Sequence, residues 1–119
     1  MMRRRILILR EMLGASGFII SVAPSGEIVL TLVSQNKPDL VLLDVMMPGI
    51  DGFETCKWLK ADNTTANIPI IFVTGLTDIA TVVKGFKLGG MDYITKPFNH
   101  EEVLSRVTTH LRIQKLLHE

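Results

Sequence analysis

The chain has 119 residues, 47% of them hydrophobic but only 6% aromatic, and a formal charge of +1 at pH 7. That length makes one domain with one largely aliphatic core. The near-neutral balance gives no electrostatic case for direct nucleic-acid binding, and Arg3-Arg4-Arg5 reads as a solvated helix start. A single cysteine, Cys56, rules out an internal disulfide and gives no metal-ligand pattern, so it is expected to be a small buried side chain. No apolar run approaches the ~18 residues of a membrane span. Met1–Leu13 has neither an apolar signal core nor a cleavage site, which makes a cytoplasmic setting the expectation.

Apolar runs alternate with helical-period segments, the pattern of βα repeats around a mostly parallel sheet. Arg5–Leu13 is ambiguous, since Ile6–Leu9 suits a short strand whereas the whole segment suits a helix. Phe18–Val22 reads as a strand and Ser25–Asn36 as a helix with an Ile28, Val29, Leu32 and Val33 stripe. Asp39–Val45 is continuous and aliphatic between Pro38 and Pro48, as in a strand covered on both faces. Asp51 is placed to cap a helix running to Ala61, with Phe53, Cys56 and Leu59 inward. After a polar loop, 62–67, comes a strand over Ile70–Thr74. A helix over Asp78–Leu88 should turn Ile79, Val82, Val83 and Phe86 to the core and stop at Gly89-Gly90. A short strand over Asp92–Thr95 precedes a long helix from Glu101 to about Leu117, with a Leu104, Val107 and Leu111 stripe. Residues 112–119 stay helix-compatible and could begin a helical connector.

Three polar residues stand at the ends of these strands: Asp44, Thr74 and Lys96. Singly, each has an ordinary reading, as a turn-capping carboxylate, a β-forming threonine and a solvated lysine. Together they make a carboxylate, a hydroxyl and an ammonium converging where parallel sheets open their ligand crevice, a set suited to a phosphoryl group. Asp39, Asp92, His100, His110 and His118 read as solvated polar residues, and Trp58 as a helix-surface or core aromatic.

These residues carry a family resemblance. Pro38-Asp39-Leu40-Val41-Leu42-Leu43-Asp44-Val45-Met46-Met47-Pro48-Gly49 with Asp51-Gly52-Phe53-Glu54, then Ile68–Thr74, Gly89-Gly90-Met91-Asp92-Tyr93-Ile94 and Lys96-Pro97-Phe98 make the chain resemble the receiver domain of two-component response regulators. The resemblance implies a flavodoxin-like α/β fold, a doubly wound parallel sheet of order 2-1-3-4-5, in a single domain over 1–119. It also implies a non-enzymatic relay in which Asp44 accepts a phosphoryl group from a histidine kinase or phosphotransfer protein. Thr74 would bond the transferred group, Lys96 would pair with it, and Tyr93 would follow Thr74 as the switch aromatic. Lys96-Pro97 matches a peptide bond that is cis in the family, and the Met46 backbone carbonyl matches a Mg²⁺ ligand. The family contacts an output domain or partner through its fourth helix, fifth strand and fifth helix.

One departure stands out. Receivers begin with a strand ending in two adjacent acids that hold Mg²⁺, whereas the only acid before residue 27 is Glu11. The acidic pair is absent, so Mg²⁺ binding should be weakened. Counted back from Asp44 at the family interval, the pair falls at or before Met1. Arg5–Leu13 then matches the first helix, and the first strand is lost by N-terminal truncation. A strand over Ile6–Leu9 would instead leave a returning helix of roughly 10 Å, short for a parallel crossover, and the truncated reading is preferred. It leaves one edge of Asp39–Val45 open and apolar, a route to strand exchange or a homodimer. The alternative function is a pseudo-receiver, a phosphorylation-independent interaction module. A hydrolase using Asp44 lacks a second catalytic carboxylate.

Overall fold

The computed structural model describes residues 5–8, 19–22, 25–45, 50–75, 79–96 and 99–117. Strand β1 (Arg5–Ile8) lies between β2 (Ile19–Val22) and β3 (Leu40–Asp44), followed by β4 (Ile70–Thr74) and β5 (Asp92–Thr95). All neighbours are parallel, giving the order β2-β1-β3-β4-β5. Helices α1 (Gly26–Gln35), α2 (Gly52–Ala61), α3 (Ile79–Lys87) and α4 (His100–Leu117) complete the described elements.

The preferred reading of Arg5–Leu13 as a helix, with no first strand, is therefore corrected. Arg5–Ile8 is a strand whose Ile6, Leu7 and Ile8 pair with Leu40, Val41 and Leu42. Occupying this slot satisfies the backbone groups on one side of β3, which a missing strand would leave bare. The strand-exchange route to a homodimer, which needed that open edge, loses its basis. The crossover over residues 9–18 lies outside the described residues, as do Asp78 and the Met46, Pro97 and Phe98 positions.

Strands β3 and β4 are buried along all five residues each, because both faces are covered. On one face Val41, Leu43, Ile70 and Phe72 pack with Val29 and Val33 of α1 and Phe53, Cys56 and Leu59 of α2. On the other, Leu40, Leu42, Ile71, Val73 and Ile94 meet Val103, Val107 and Leu111 of α4. Alternation along each strand divides the two layers.

The caps follow the sequence. Ser25 accepts a hydrogen bond from Ile28 N, and Asp51 Oδ1 accepts one from Glu54 N at 2.8 Å. Gly89, at φ +106°, ends α3 in the left-handed region. Side-chain directions differ at three places. Ile28 of α1 is exposed, and Val103 takes the core position expected of half-buried Leu104. In α3 most of the expected stripe is turned outward: Ile79 is 82% exposed, Val83 and Phe86 are exposed, Val82 is half-buried, and the fully buried residue is Gly85.

Candidate functional site: a carboxylate paired across the sheet

Asp44 is the last residue of β3 and aligns with Val73 of β4. Thr74, one residue further along β4, aligns with Thr95 of β5, and Lys96 comes next. Register alone thus brings all three to the carboxyl edge of the sheet. Alternation puts Lys96 on the face of Ile94, the face shared by Leu42 and hence by Asp44.

Lys96 Nζ lies 2.5 Å from Asp44 Oδ2. The carboxylate side chain is 2% exposed and the lysine side chain 38%, so a nearly buried anion is reached by a cation that keeps contact with water. Lys96 N donates to Thr74 O at 2.9 Å, and Val45 N donates to Val73 O at 3.2 Å. These backbone bonds extend the ladder past the strand ends and fix where the three side chains start. Gly52 closes the loop leaving Asp44, its N–H donating to Val45 O. A Cβ at Gly52 would overlap the Asp44 carbonyl oxygen, so the start of α2 can approach the end of β3 only without a side chain.

Tyr93 is half-buried one strand over, its hydroxyl donating to Thr81 O of α3 at 2.9 Å. Its ring packs between Phe72 and Phe86, each centroid 5.5 Å away. The expected switch aromatic is therefore tied to α3, the helix whose apolar stripe faces outward.

The donor set among the described residues does not fit Mg²⁺ as the family holds it. Mg²⁺ requires octahedral oxygen coordination, usually with carboxylates. Among the described residues no group of three or more His, Cys, Asp or Glu could hold a metal ion. The residues that follow β1 in sequence are Leu9, Arg10 and Glu11, a single acid and no adjacent pair, and they lie outside the described residues. Among the described residues Asp44 is the carboxylate at the end of β3, and Lys96 already engages it.

Sequence reasoning missed a second polar cluster. Asp92 accepts two hydrogen bonds from Arg106 Nη1, at 3.0 and 2.9 Å, and lies 2.9 Å from His110 Nε2. Neither Asp92 nor His110 is the solvated residue expected. The available signal was Arg106 and His110 at i, i+4, sharing one face of a helix. Burial works against the Asp92 carboxylate, but hydrogen bonds from His110, Tyr93 N and Arg106 outweigh it and hold the group below its ordinary range. Cys56 is buried as expected, and desolvation pushes its thiol up to about 11.

With this geometry in view, comparison places the chain in a family. The response regulator receiver domain model matches residues 4–108, and the chain belongs to that family, whose members are signalling domains of two-component phosphorelays. It is 42% identical over 121 residues to the DNA-binding response regulator MtrA of Mycolicibacterium paratuberculosis, covering 93% of this chain and 52% of that protein. It is 35% identical over 114 residues to the response regulator PleD of Caulobacter vibrioides, covering 96% of this chain and 25% of PleD. The chain thus spans about half the length of MtrA and a quarter of PleD. Among solved structures, the receiver domain of Francisella response regulator 1452 superposes with a TM-score of 0.82 at 28% identity, covering 92% of this chain and 98% of that one. The flavodoxin-like α/β fold expected from the sequence is the fold observed.

Proposed function

We propose that this receiver accepts a phosphoryl group on Asp44. One Asp44 carboxylate oxygen attacks phosphorus; the bond to the donor breaks, from a phosphohistidine nitrogen or from the acetate oxygen of acetyl phosphate, and the donor leaves with that electron pair. The observation that carries the reading is the Lys96–Asp44 pair, which sets an ammonium beside the oxygen that would receive the group. Phosphoryl transfer is driven by positioning and by neutralising charge on the transferred oxygens, and Lys96 supplies both. Thr74 would hydrogen-bond the transferred group, drawing on the Tyr93 and α3 environment. The face formed by α3, β5 and α4, matching the family's fourth helix, fifth strand and fifth helix, would pass the change to an output domain or partner. A histidine kinase or phosphotransfer protein is the proposed donor, and the cytoplasm the proposed setting. A DNA-binding output region, as the name of MtrA describes for that protein, is a candidate for the remainder of a longer chain.

Mg²⁺ supplies charge neutralisation in the family, and here Asp44 and the Met46 carbonyl, outside the described residues, are the matching positions. With no acidic pair, the expected transfer is slow and weakly metal-dependent. Intact mass after incubation with acetyl phosphate, with and without Mg²⁺ and beside Asp44→Asn, tests both points. A slow adduct that is lost in Asp44→Asn supports the reading. A fast, strongly Mg²⁺-dependent adduct would overturn the weak-metal part, and no adduct on folded protein would favour the interaction-module alternative.

A further inference from the structure

Val45, which follows Asp44, and Ile50 are the two described ends of the chain over 46–49. One end is held at the sheet, where Gly52 N donates to Val45 O. The other end is held from outside the loop. Glu27, in the first turn of α1, accepts a hydrogen bond from Ile50 N at 2.9 Å through Oε1. The residue before it, Gly26, is buried against the same place: a Cβ there would sit 2.6 Å from Ile50 Cγ1 and 2.9 Å from Ile50 O, and would overlap Thr55 Oγ1. Thr55 in turn donates to Asp51 O at 2.8 Å, while Asp51 caps α2. The amino ends of α1 and α2 therefore close on Ile50 from both sides, and Glu27 contributes the side-chain bond to its backbone.

We infer that Glu27 is a positioning residue for the phosphoryl-accepting site, acting through Ile50 and the Gly52–Val45 bond on the end of β3 that carries Asp44. The inference rests on the proposed role of Asp44. Glu27 touches neither the acceptor nor the incoming group, and its carboxylate is exposed, so it can be changed without opening the core.

The test uses the whole chain and three proteins: wild type, Glu27→Ala and Glu27→Gln. Glutamine keeps a side-chain oxygen that can accept from Ile50 N, whereas alanine keeps none. Two readouts are taken, amide exchange and chemical shifts at Ile50 and 46–49, and the acetyl phosphate dependence of Asp44 labelling. In Glu27→Ala, Ile50 exchange should rise about fivefold, the scale of one typical hydrogen bond lost at an exposed site. The maximal labelling rate should fall by a similar factor with the half-saturating acetyl phosphate unchanged, and Glu27→Gln should recover most of both. Labelling that stays at the wild-type rate while Ile50 exchange rises would overturn the inference, as would unchanged Ile50 exchange. If wild type takes no label, the reading of Asp44 fails separately. The inference, which rests on that reading, falls with it, whereas a labelled wild type with unaffected Glu27→Ala labelling overturns the inference alone.

Discussion

Gly85 and Tyr93 occupy complementary space: a Cβ on Gly85 would overlap the Tyr93 hydroxyl and come within 2.9 Å of two ring carbons. The glycine is buried in the middle of α3, where glycine costs roughly 1 kcal/mol relative to alanine. Close approach of α3 to Tyr93 offsets that cost, through the hydroxyl bond to Thr81 O and the contact with Phe86. Gly85→Ala should therefore lower stability despite its better helix propensity, by roughly 1–3 kcal/mol from overpacking. Replacing Tyr93 by alanine in the same chain should make Gly85→Ala neutral or stabilising. Urea unfolding of the four proteins checks this, and an unconditionally stabilising Gly85→Ala would refute the close packing.

Lys96→Met should destabilise the fold modestly at pH 7, because it removes a cation from a carboxylate that is almost fully buried. The lysine is more than a third exposed, so solvent screening keeps the expected loss to about 1–2 kcal/mol. Adding Asp44→Asn should recover most of the loss by removing the charge left behind. A double-mutant cycle isolates the coupling, and strictly additive effects would show that the pair contributes nothing.

Asp92 gives stability a dependence on acid. Its folded value lies below the ordinary 3.8, so its contribution is present above that value and lost as pH falls through the depressed folded one. Between pH 5 and pH 3 the wild-type urea midpoint should fall further than that of Asp92→Asn. Equal declines would mean that the Arg106 and His110 contacts leave Asp92 unperturbed.

Cys56 should be silent toward thiol reagents in the native state at pH 8, being buried and raised to about 11. Its Sγ lies 3.4 Å from Leu88 O, at the end of α3. Reaction should begin only as denaturant unfolds the chain, with a midpoint matching circular dichroism. Rapid native modification would contradict the burial.

The residues differ in how openly they show their places. Leu40–Asp44, between Pro38 and Pro48, and Ile70–Thr74, between Pro69 and Gly75, were legible because a short apolar run bounded by breakers suits a strand covered on both faces. Arg5–Ile8 was not, since four residues fit either period and the choice was made by the vacant slot between β2 and β3. Periodicity located α3 but could not say which way its stripe turned, because Gly85 rather than a large side chain marks the inward face. Asp44 and Lys96 announced themselves at strand ends, and register joined them. The Glu27–Ile50 bond spans 23 residues and depends on a loop end meeting a helix start, and the Asp92–His110 contact spans 18; neither carries a motif.

The chain's single tryptophan and single tyrosine also report on different things. Trp58 is 58% exposed on α2, while Tyr93 is wedged between two phenylalanines against α3. Indole emission should therefore be red-shifted, open to quenching by iodide and nearly blind to events at the carboxyl edge of the sheet. The near-ultraviolet ellipticity of the phenol, held by its packed asymmetric surroundings, is the optical signal that should change when Tyr93 leaves its slot. An experiment that follows tryptophan fluorescence alone would watch the wrong side of the molecule.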